Sequence, residues 1–184
     1  MKMINKLRLL WGFLCIFIVV PGTSQTQPEA YRLYDGKGRV VDYDQLVKTI
    51  AKVDVVFIGE IHNCAITHWL ELKLLDSLYK IHGKKLKVGM EMFESDNQLI
   101  LDEYLHGQIT GDRFEEEMRL WPNYSTDYAS LISYARDHNI PIVATNIPRR
   151  YATAVKEHGL SYLDSFSIEA KAYMAPLPMH FQTN

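Results

Sequence analysis

The sequence predicts an α/β fold, a parallel sheet with helices on both faces in a three-layer α/β/α arrangement. Three apolar segments of strand length, 53–59, 86–93 and 140–146, alternate with helical patterns. Strands that alternate with helices form βαβ units, in which right-handed crossovers join parallel strands. No internal repeat or linker interrupts this order, so residues 25–184 are predicted to form a single domain.

The first 24 residues have the features of a secretory signal peptide. Three positive charges precede an apolar stretch over 9–20, which is too short to cross a bilayer that needs about 20 residues. Small residues at 22–24 favour cleavage after Ser24. An uncleaved anchor is the alternative, whereas lipid attachment at Cys15 is disfavoured because the bulky Leu14 precedes it.

Removal of the signal peptide makes the chain acidic. The full sequence has 20 Lys+Arg against 22 Asp+Glu, and loss of Lys2, Lys6 and Arg8 leaves 17 against 22, a net charge of −5. There is no basic run and no long run of like charge, so a nucleic acid partner is not expected. Cys64 is then the single thiol, and we expect it to be buried and unreactive.

The first half of the domain is predicted to contain a hairpin, two helices and a strand. Asp-Gly and Lys-Gly pairs at 35–38 favour the turn of the hairpin, and Gly83 favours the end of the second helix. In chain order these elements are the hairpin 31–41, the helix 43–52, the strand 53–59 and the helix 63–82.

The second half is predicted to add two strands and four helices. Pro148 suits the first position of the last helix. In chain order the elements are strand 86–93, helices 95–105, 110–121 and 126–138, strand 140–146 and a helix from 148. The ending 176–184 has the composition of a loop with no closing element, so we expect the domain to be incomplete at its C-terminus.

Polar side chains follow or interrupt all three predicted strands. Glu60 and His62 follow the first strand, Glu91 interrupts the second, and Asn146 and Arg149 follow the third. Ligands of open parallel sheets bind beyond the carboxyl ends of the strands. Burial of an unpaired Glu91 would cost several kcal/mol, so we expect it to have a partner, with His62 and Arg149 as candidates.

Several of these side chains have an ordinary structural explanation as well. His68 lies six residues after His62, which is not the i, i+4 spacing of a zinc-binding helix, and it suits a polar-face or interface histidine equally. Arg149 and its neighbour at 150 could meet an anion at a helix N-terminus or be solvated. Trp121, Tyr124 and Tyr128 suit core packing, or contact with a flat hydrophobic ligand.

Four ordered segments resemble the ChaN family of haem-binding, iron-uptake-associated proteins. They are Gly-Glu-Ile-His at 59–62, Gly-Met-Glu-Met-Phe-Glu at 89–94, Leu-Asp-Glu-Tyr-Leu-His-Gly at 101–107 and Ile-Pro-Ile-Val-Ala-Thr-Asn-Ile-Pro-Arg at 140–149. The G-E-x-H segment is also similar to the wider Tiki and erythromycin-esterase superfamily, which includes metal-dependent peptidases and hydrolases.

The resemblance implies a periplasmic or outer-membrane-associated protein that binds haem through a tyrosine oxygen and as a homodimer. An outer-membrane haem receptor is the partner expected on this basis. Tyr128 and Tyr124 are the first candidates for the iron ligand, a nearby histidine would assist, and Arg149 would pair with a propionate. The residues predicted to bind haem are His62, His68, Tyr124, Tyr128, Asn146 and Arg149.

Two other functions fit the same residues. In a hydrolase, His62 would act as general base oriented by Glu60 or Glu91, or these three residues would hold a divalent metal ion that activates water. In an interaction module, the G-E-x-H residues would serve only as caps and buried pairs.

Overall fold

The computed structural model describes residues 29–178, and those from Tyr31 onward belong to one compact unit. The predicted signal peptide, with Cys15, and the last part of the predicted C-terminal loop lie outside the described residues. The elements in chain order are β1 (Leu33–Tyr34), β2 (Val40–Val41), α1 (Tyr43–Ile50), α2 (Ala65–His82), β3 (Val88–Glu94), α3 (Gln98–Leu105), α4 (Gly111–Glu117), α5 (Ala129–Asp137), β4 (Ile142–Asn146), α6 (Arg149–His158) and α7 (Ile168–Lys171).

The hairpin at the start of the domain is confirmed. β1 and β2 pair antiparallel, with Leu33 opposite Val41. The Asp35 carboxylate closes the turn by accepting hydrogen bonds from the backbone amides of Lys37 at 2.9 Å and Arg39 at 3.0 Å. A short side chain that bonds its own backbone thus fixes the turn that the Asp-Gly pair predicts.

The parallel sheet is also confirmed, with β3 and β4 as its two described strands. Val88 lies opposite Ile142 and Met90 opposite Ala144. The connection between the strands runs through α3, α4, a π-helical turn at Tyr124–Tyr128 and α5. The chain therefore has the predicted α/β class, a parallel sheet flanked by helices.

The core fills the space between this sheet and the helices that connect its strands. Phe114 packs between Tyr104, with ring centroids 4.4 Å apart, and Phe93, at 6.1 Å. Offset and edge-to-face contacts of this kind add to the stabilisation that burial gives. Fully buried members of the core include Phe93, Leu101, Phe114, Ile132, Ala135, Ile140 and Ile142.

The expectation that Glu91 is buried is wrong. Met90 and Met92 turn their side chains into the core, and the alternation of a strand places Glu91 on the opposite face, where it is exposed. Val143 on β4 is likewise exposed. The Glu91 carboxylate therefore remains solvated and needs no buried partner.

The predicted strand at 53–59 is wrong as well. This segment is neither helix nor strand, and it has no sheet neighbour in the described range 29–178. Its apolar side chains are open to solvent, with Val55 65% and Phe57 95% exposed. β-branched composition favours a strand, but a strand forms only where a neighbour accepts and donates its backbone hydrogen bonds.

None of the helices within residues 29–178 combines the length and the apolar composition that a bilayer crossing requires.

Candidate functional site

Three ionisable side chains meet at the start of α2. His68 and Glu71 lie three residues apart on this helix, so they occupy one face. Glu60 comes from the loop that leads into the helix. Their side chains are 3%, 12% and 17% exposed, in the order His68, Glu71 and Glu60. We call these three residues the Glu–His cluster.

The histidine of the cluster points one ring nitrogen between the two carboxylates. Its Nδ1 atom is 3.6 Å from Oε2 of Glu60 and 3.5 Å from Oε2 of Glu71. Nδ1 is buried and has no hydrogen-bond partner among the described residues. One possible ligand atom from each of the three residues lies within 4.8 Å of the other two.

The other ring nitrogen fixes the tautomer of this histidine. Nε2 of His68 lies 3.2 Å from the carbonyl oxygen of His62. A carbonyl only accepts hydrogen bonds, so Nε2 carries a hydrogen, and a neutral ring would have its lone pair on Nδ1. Asn123 donates to the same carbonyl at 2.7 Å and to Asp127 at 2.7 Å, which holds this backbone oxygen in place.

Glu60 is oriented by donors on its second oxygen. Nδ1 of His62 lies 2.7 Å from Oε1 of Glu60, and the Tyr128 hydroxyl donates to the same atom. Tyr128 stands at the end of the π-helical turn, where the amide of Ala129 bonds the carbonyl of Tyr124 five residues back. π-helical turns occur frequently at functional sites. Oε2 of Glu60 is thereby left to face His68.

Burial and mutual repulsion separate the two carboxyl groups in their affinity for protons. Burial, reinforced by the charge of Glu60, raises the pKa of Glu71 to about 7. Burial acts in the same direction on Glu60, but hydrogen bonds from Tyr128 and His62 outweigh it and lower its pKa. Burial, then the bond to Glu60, raises the pKa of Tyr128, so its phenol stays protonated near neutral pH.

A second feature of this part of the chain is an open cleft of about 460 Å³. Its lining combines an indole, two other apolar side chains and three guanidinium groups. We call it the arginine cleft, and its residues are Glu94, Arg119, Leu120, Trp121, Pro122, Arg149 and Arg150.

Trp121 connects the arginine cleft to the side chains around Glu60. Its ring lies 4.8 Å from that of His62 and 5.9 Å from that of Tyr128, both in edge-to-face contact. The His62 side chain is 54% exposed. Its Nδ1 atom bonds Glu60, whereas Nε2 takes no part in that bond. An exposed imidazole oriented by a carboxylate can accept a proton or ligate a metal.

The three arginines of the cleft differ in their ion pairs. Arg119 donates to Glu94 at 2.9 Å and also pairs with Asp96, and Arg150 pairs with Asp96. Arg149 makes no ion pair with any residue in the described part of the chain. Its charge is therefore available to an anionic ligand.

The structure brings together four of the residues that the sequence indicates, namely Glu60, His62, His68 and Tyr128. Tyr124 is buried in the core, 6.0 Å from Phe114 between ring centroids, and burial raises the pKa of its phenol. Arg149 lies in the cleft. Asn146 ends β4 opposite Glu94, and Glu91 is exposed on β3, away from the cluster.

Three site residues were not predicted from the sequence: Glu71, Asn123 and Asp127. The sequence does contain a pattern that indicates Glu71, because the spacing His-x-x-Glu puts both side chains on one helical face. Asn123 and Asp127 reach the site through the π-helical turn, a feature with no local sequence pattern to reveal it.

Cys64 departs from the expectation of a buried, inert thiol. It is half-buried at the residue that precedes α2, and hydrogen bonds with the Thr67 hydroxyl and amide lower the pKa of the thiol. A cysteine at a helix N-terminus commonly has this property.

Two known proteins are similar to parts of the chain. A solved structure described as cofacial heme binding to ChaN of Campylobacter jejuni superposes with a TM-score of 0.61 at 17% identity, over 71% of this chain and 53% of that one. The protein RETICULATA-RELATED 5, chloroplastic, of Arabidopsis thaliana is 27% identical over 111 residues, 58% of this chain and 15% of that protein. The chain thus spans about half of the solved ChaN structure and a small part of the plant protein.

The structural similarity establishes the fold, and a family match extends over most of the chain. The family described as haem-binding uptake, Tiki superfamily, ChaN matches residues 46–184. This range includes the Glu–His cluster, the π-helical turn and the arginine cleft. The chain belongs to this ChaN family of the Tiki superfamily.

Proposed function

We propose that this chain binds haem in the arginine cleft and serves haem or iron uptake after export. The observation that carries the proposal is the composition of the cleft, which places an indole and two apolar side chains beside Arg149, an arginine with no ion pair to any residue of the described range 29–178. Family membership over residues 46–184 supports the same ligand.

The cleft suits the two chemical halves of haem. Trp121, Leu120 and Pro122 offer an apolar surface to the flat ring, and Arg149 offers a guanidinium to a propionate. Asn146 remains one of the residues proposed to bind haem, because it lies at the end of β4 opposite Glu94, which lines the cleft.

Haem iron supplies the coordination chemistry, and the protein contributes the axial ligand. We rank His62 ahead of the tyrosines, because Nε2 is exposed and Nδ1 is fixed by Glu60. Tyr124 and Tyr128 are 5% and 2% exposed, and the Tyr128 hydroxyl is bonded to Glu60. His68 lies behind Glu60, where it would act through that carboxylate.

Export by the predicted signal peptide, periplasmic or outer-membrane association, delivery to an outer-membrane haem receptor and homodimer formation complete the proposal. Each is testable separately, by fractionation of cells that express the chain and by light scattering with and without haem.

Titration of the purified chain with ferric haem, followed by Soret absorbance, tests the proposal. We expect saturable binding that His62→Ala alters in spectrum and Arg149→Gln weakens. Tyr128→Phe serves as the matched variant, since its hydroxyl is committed to Glu60. A spectrum of free haem at every ratio would contradict haem binding, and a change confined to Tyr128→Phe would transfer the ligand role to that tyrosine.

The Glu60–His62 pair supports a hydrolase as second candidate. An exposed imidazole held by a buried carboxylate has the arrangement of a general base and its orienting group. Glu91 would act in this role only from a distance, since it lies on the exposed face of β3. Ester or peptide hydrolysis that His62→Ala abolishes while haem affinity persists would favour the enzyme.

A further inference from the structure

We propose that the Glu–His cluster is a binding site for one divalent metal ion of the zinc type, held by Glu60, His68 and Glu71. This site differs from the haem cleft, and from the Glu60, His62 and Glu91 set that the sequence suggested for a metal. It does not depend on haem binding.

The unpartnered nitrogen of His68 is the first argument. Nδ1 is buried and faces the cluster, and no hydrogen-bond partner in the described range satisfies it. A buried polar atom without a partner costs free energy comparable to a lost hydrogen bond. A cation placed between His68 and the carboxylates would satisfy it directly.

The spacing of the ligand atoms is the second argument. Two ligands bound to a tetrahedral zinc at about 2.0 to 2.1 Å lie about 3.4 Å apart. The distances from Nδ1 of His68 to the oxygens of Glu60 and Glu71 are 3.6 and 3.5 Å. These distances are long for a hydrogen bond, but they are those of two atoms that share one metal ion.

The charge of the cluster is the third argument. Glu60 and Glu71 are more than four-fifths buried, and in the described chain neither pairs with a lysine or an arginine. Buried carboxylates normally have a cationic partner or a metal. Nitrogen and oxygen donors without sulfur suit Zn²⁺, and also Fe²⁺ or Mn²⁺ at lower affinity.

Outer contacts hold the ligands as metal sites require. His62 and Tyr128 both bond Oε1 of Glu60, which leaves Oε2 toward the metal position. The second ring nitrogen of His68 donates to the carbonyl of His62. Ligating histidines almost always make such a bond with their other nitrogen. With three protein ligands, the fourth position remains for water or substrate.

Metal binding by the full chain tests the proposal. The protein is stripped with a chelator and titrated with Co²⁺, whose visible ligand-field bands report tetrahedral coordination, and Zn²⁺ then competes for the site. We expect one metal ion per chain. Glu71→Gln and Glu60→Gln should each weaken binding at least about tenfold, whereas Asp76→Asn, on the same helix but outside the cluster, should not.

Circular dichroism of each variant separates loss of the site from loss of the fold, and the near-isosteric Gln substitutions keep the packing. Haem titration of Glu71→Gln should match the wild type, so the two proposals can fail independently. Absence of stoichiometric Co²⁺ binding by the wild type, or equal affinity in all three variants, would overturn the metal site.

Discussion

The Glu–His cluster and the arginine cleft differ in the sign of their charged groups and in their exposure to solvent. The cluster places two carboxyl groups in a buried position and leaves a nitrogen without a hydrogen-bond partner among the described residues, whereas the cleft places three guanidinium groups in an open position and pairs two of them with carboxylates. A buried charge is expensive without a partner, while an exposed one is solvated at little cost. The cluster therefore suits a small cation, and the cleft suits a larger ligand with an acidic edge.

The largest effect is expected from Trp121→Ala, because this indole lines the cleft and also contacts His62 and Tyr128, which both bond Glu60. Loss of its contacts with His62 and Tyr128 should lower the free energy of unfolding by about 2 kcal/mol, less than for a fully buried aromatic side chain. Haem affinity should fall as well. Urea denaturation and Soret titration measure the two effects. Trp69→Ala, on the exposed face of α2, is the control and should leave haem affinity unchanged.

Tyr128→Phe should separate the regions. It removes the hydroxyl that donates to Glu60, and a hydrogen bond to a charged group contributes about 1.5 to 3 kcal/mol. Glu60 keeps its bond with His62 in this variant, so we expect a loss at the lower end of that range, about 1.5 kcal/mol, and weaker Co²⁺ binding, with haem affinity retained. Tyr134→Phe, which removes a bond to Asp76 at 3.0 Å, should cost less because that pair is closer to solvent. Equal costs would mean that burial of Glu60 has little influence.

Arg149→Gln should affect the cleft alone. Removing the unpaired guanidinium should weaken haem binding about tenfold, or about 1.4 kcal/mol. The free energy of unfolding should change by less than about 0.5 kcal/mol, since Arg149 makes no ion pair in the described structure. Arg113→Gln, which removes an exposed pair with Glu116, is the control for loss of positive charge. An equal effect of both variants would point to general electrostatic attraction.

The smallest effect is expected from Asp76→Asn, outside both regions. A hydrogen bond from Lys80, then one from Tyr134, lower the pKa of Asp76 despite opposing burial. A depressed pKa stabilises the folded state above the unfolded value and loses that effect as pH falls through the folded pKa. The variant should be less stable by under about 1 kcal/mol at pH 7. The difference should shrink as pH falls below about 4 and vanish only below the depressed folded pKa, as urea denaturation across that range would show.

The sequence predicts elements well where the determinants are local. The hairpin depends on Asp35, α2 on its apolar period and Gly83, and β3 and β4 on short apolar runs, and all four are present. Residues 53–59 have the composition of a strand but lack a neighbour in the described chain, which composition cannot reveal. The burial of Glu91 was predicted wrongly because an apolar run does not show which face of a sheet is covered.

Only some residues of the site could be predicted from the sequence. Glu60, His62, His68 and Tyr128 do lie together. Glu71 shares a helical face with His68 and could have been found by that spacing. Asn123 and Asp127 depend on how the chain enters α5, so only the folded structure places them at the carbonyl of His62.

The π-helical turn at Tyr124–Tyr128 also has a consequence for how this domain can diverge. A π-helical turn is an α-helical turn with one extra residue, and each residue rotates a helix by about 100°. Deletion of one residue at the exposed positions Ser125 or Thr126 would leave Tyr128 and α5 seated on the core. It would swing Trp121 and Asn123 away from His62. A homologue one residue shorter here would keep the Glu–His cluster and lose the Trp121 indole from the arginine cleft.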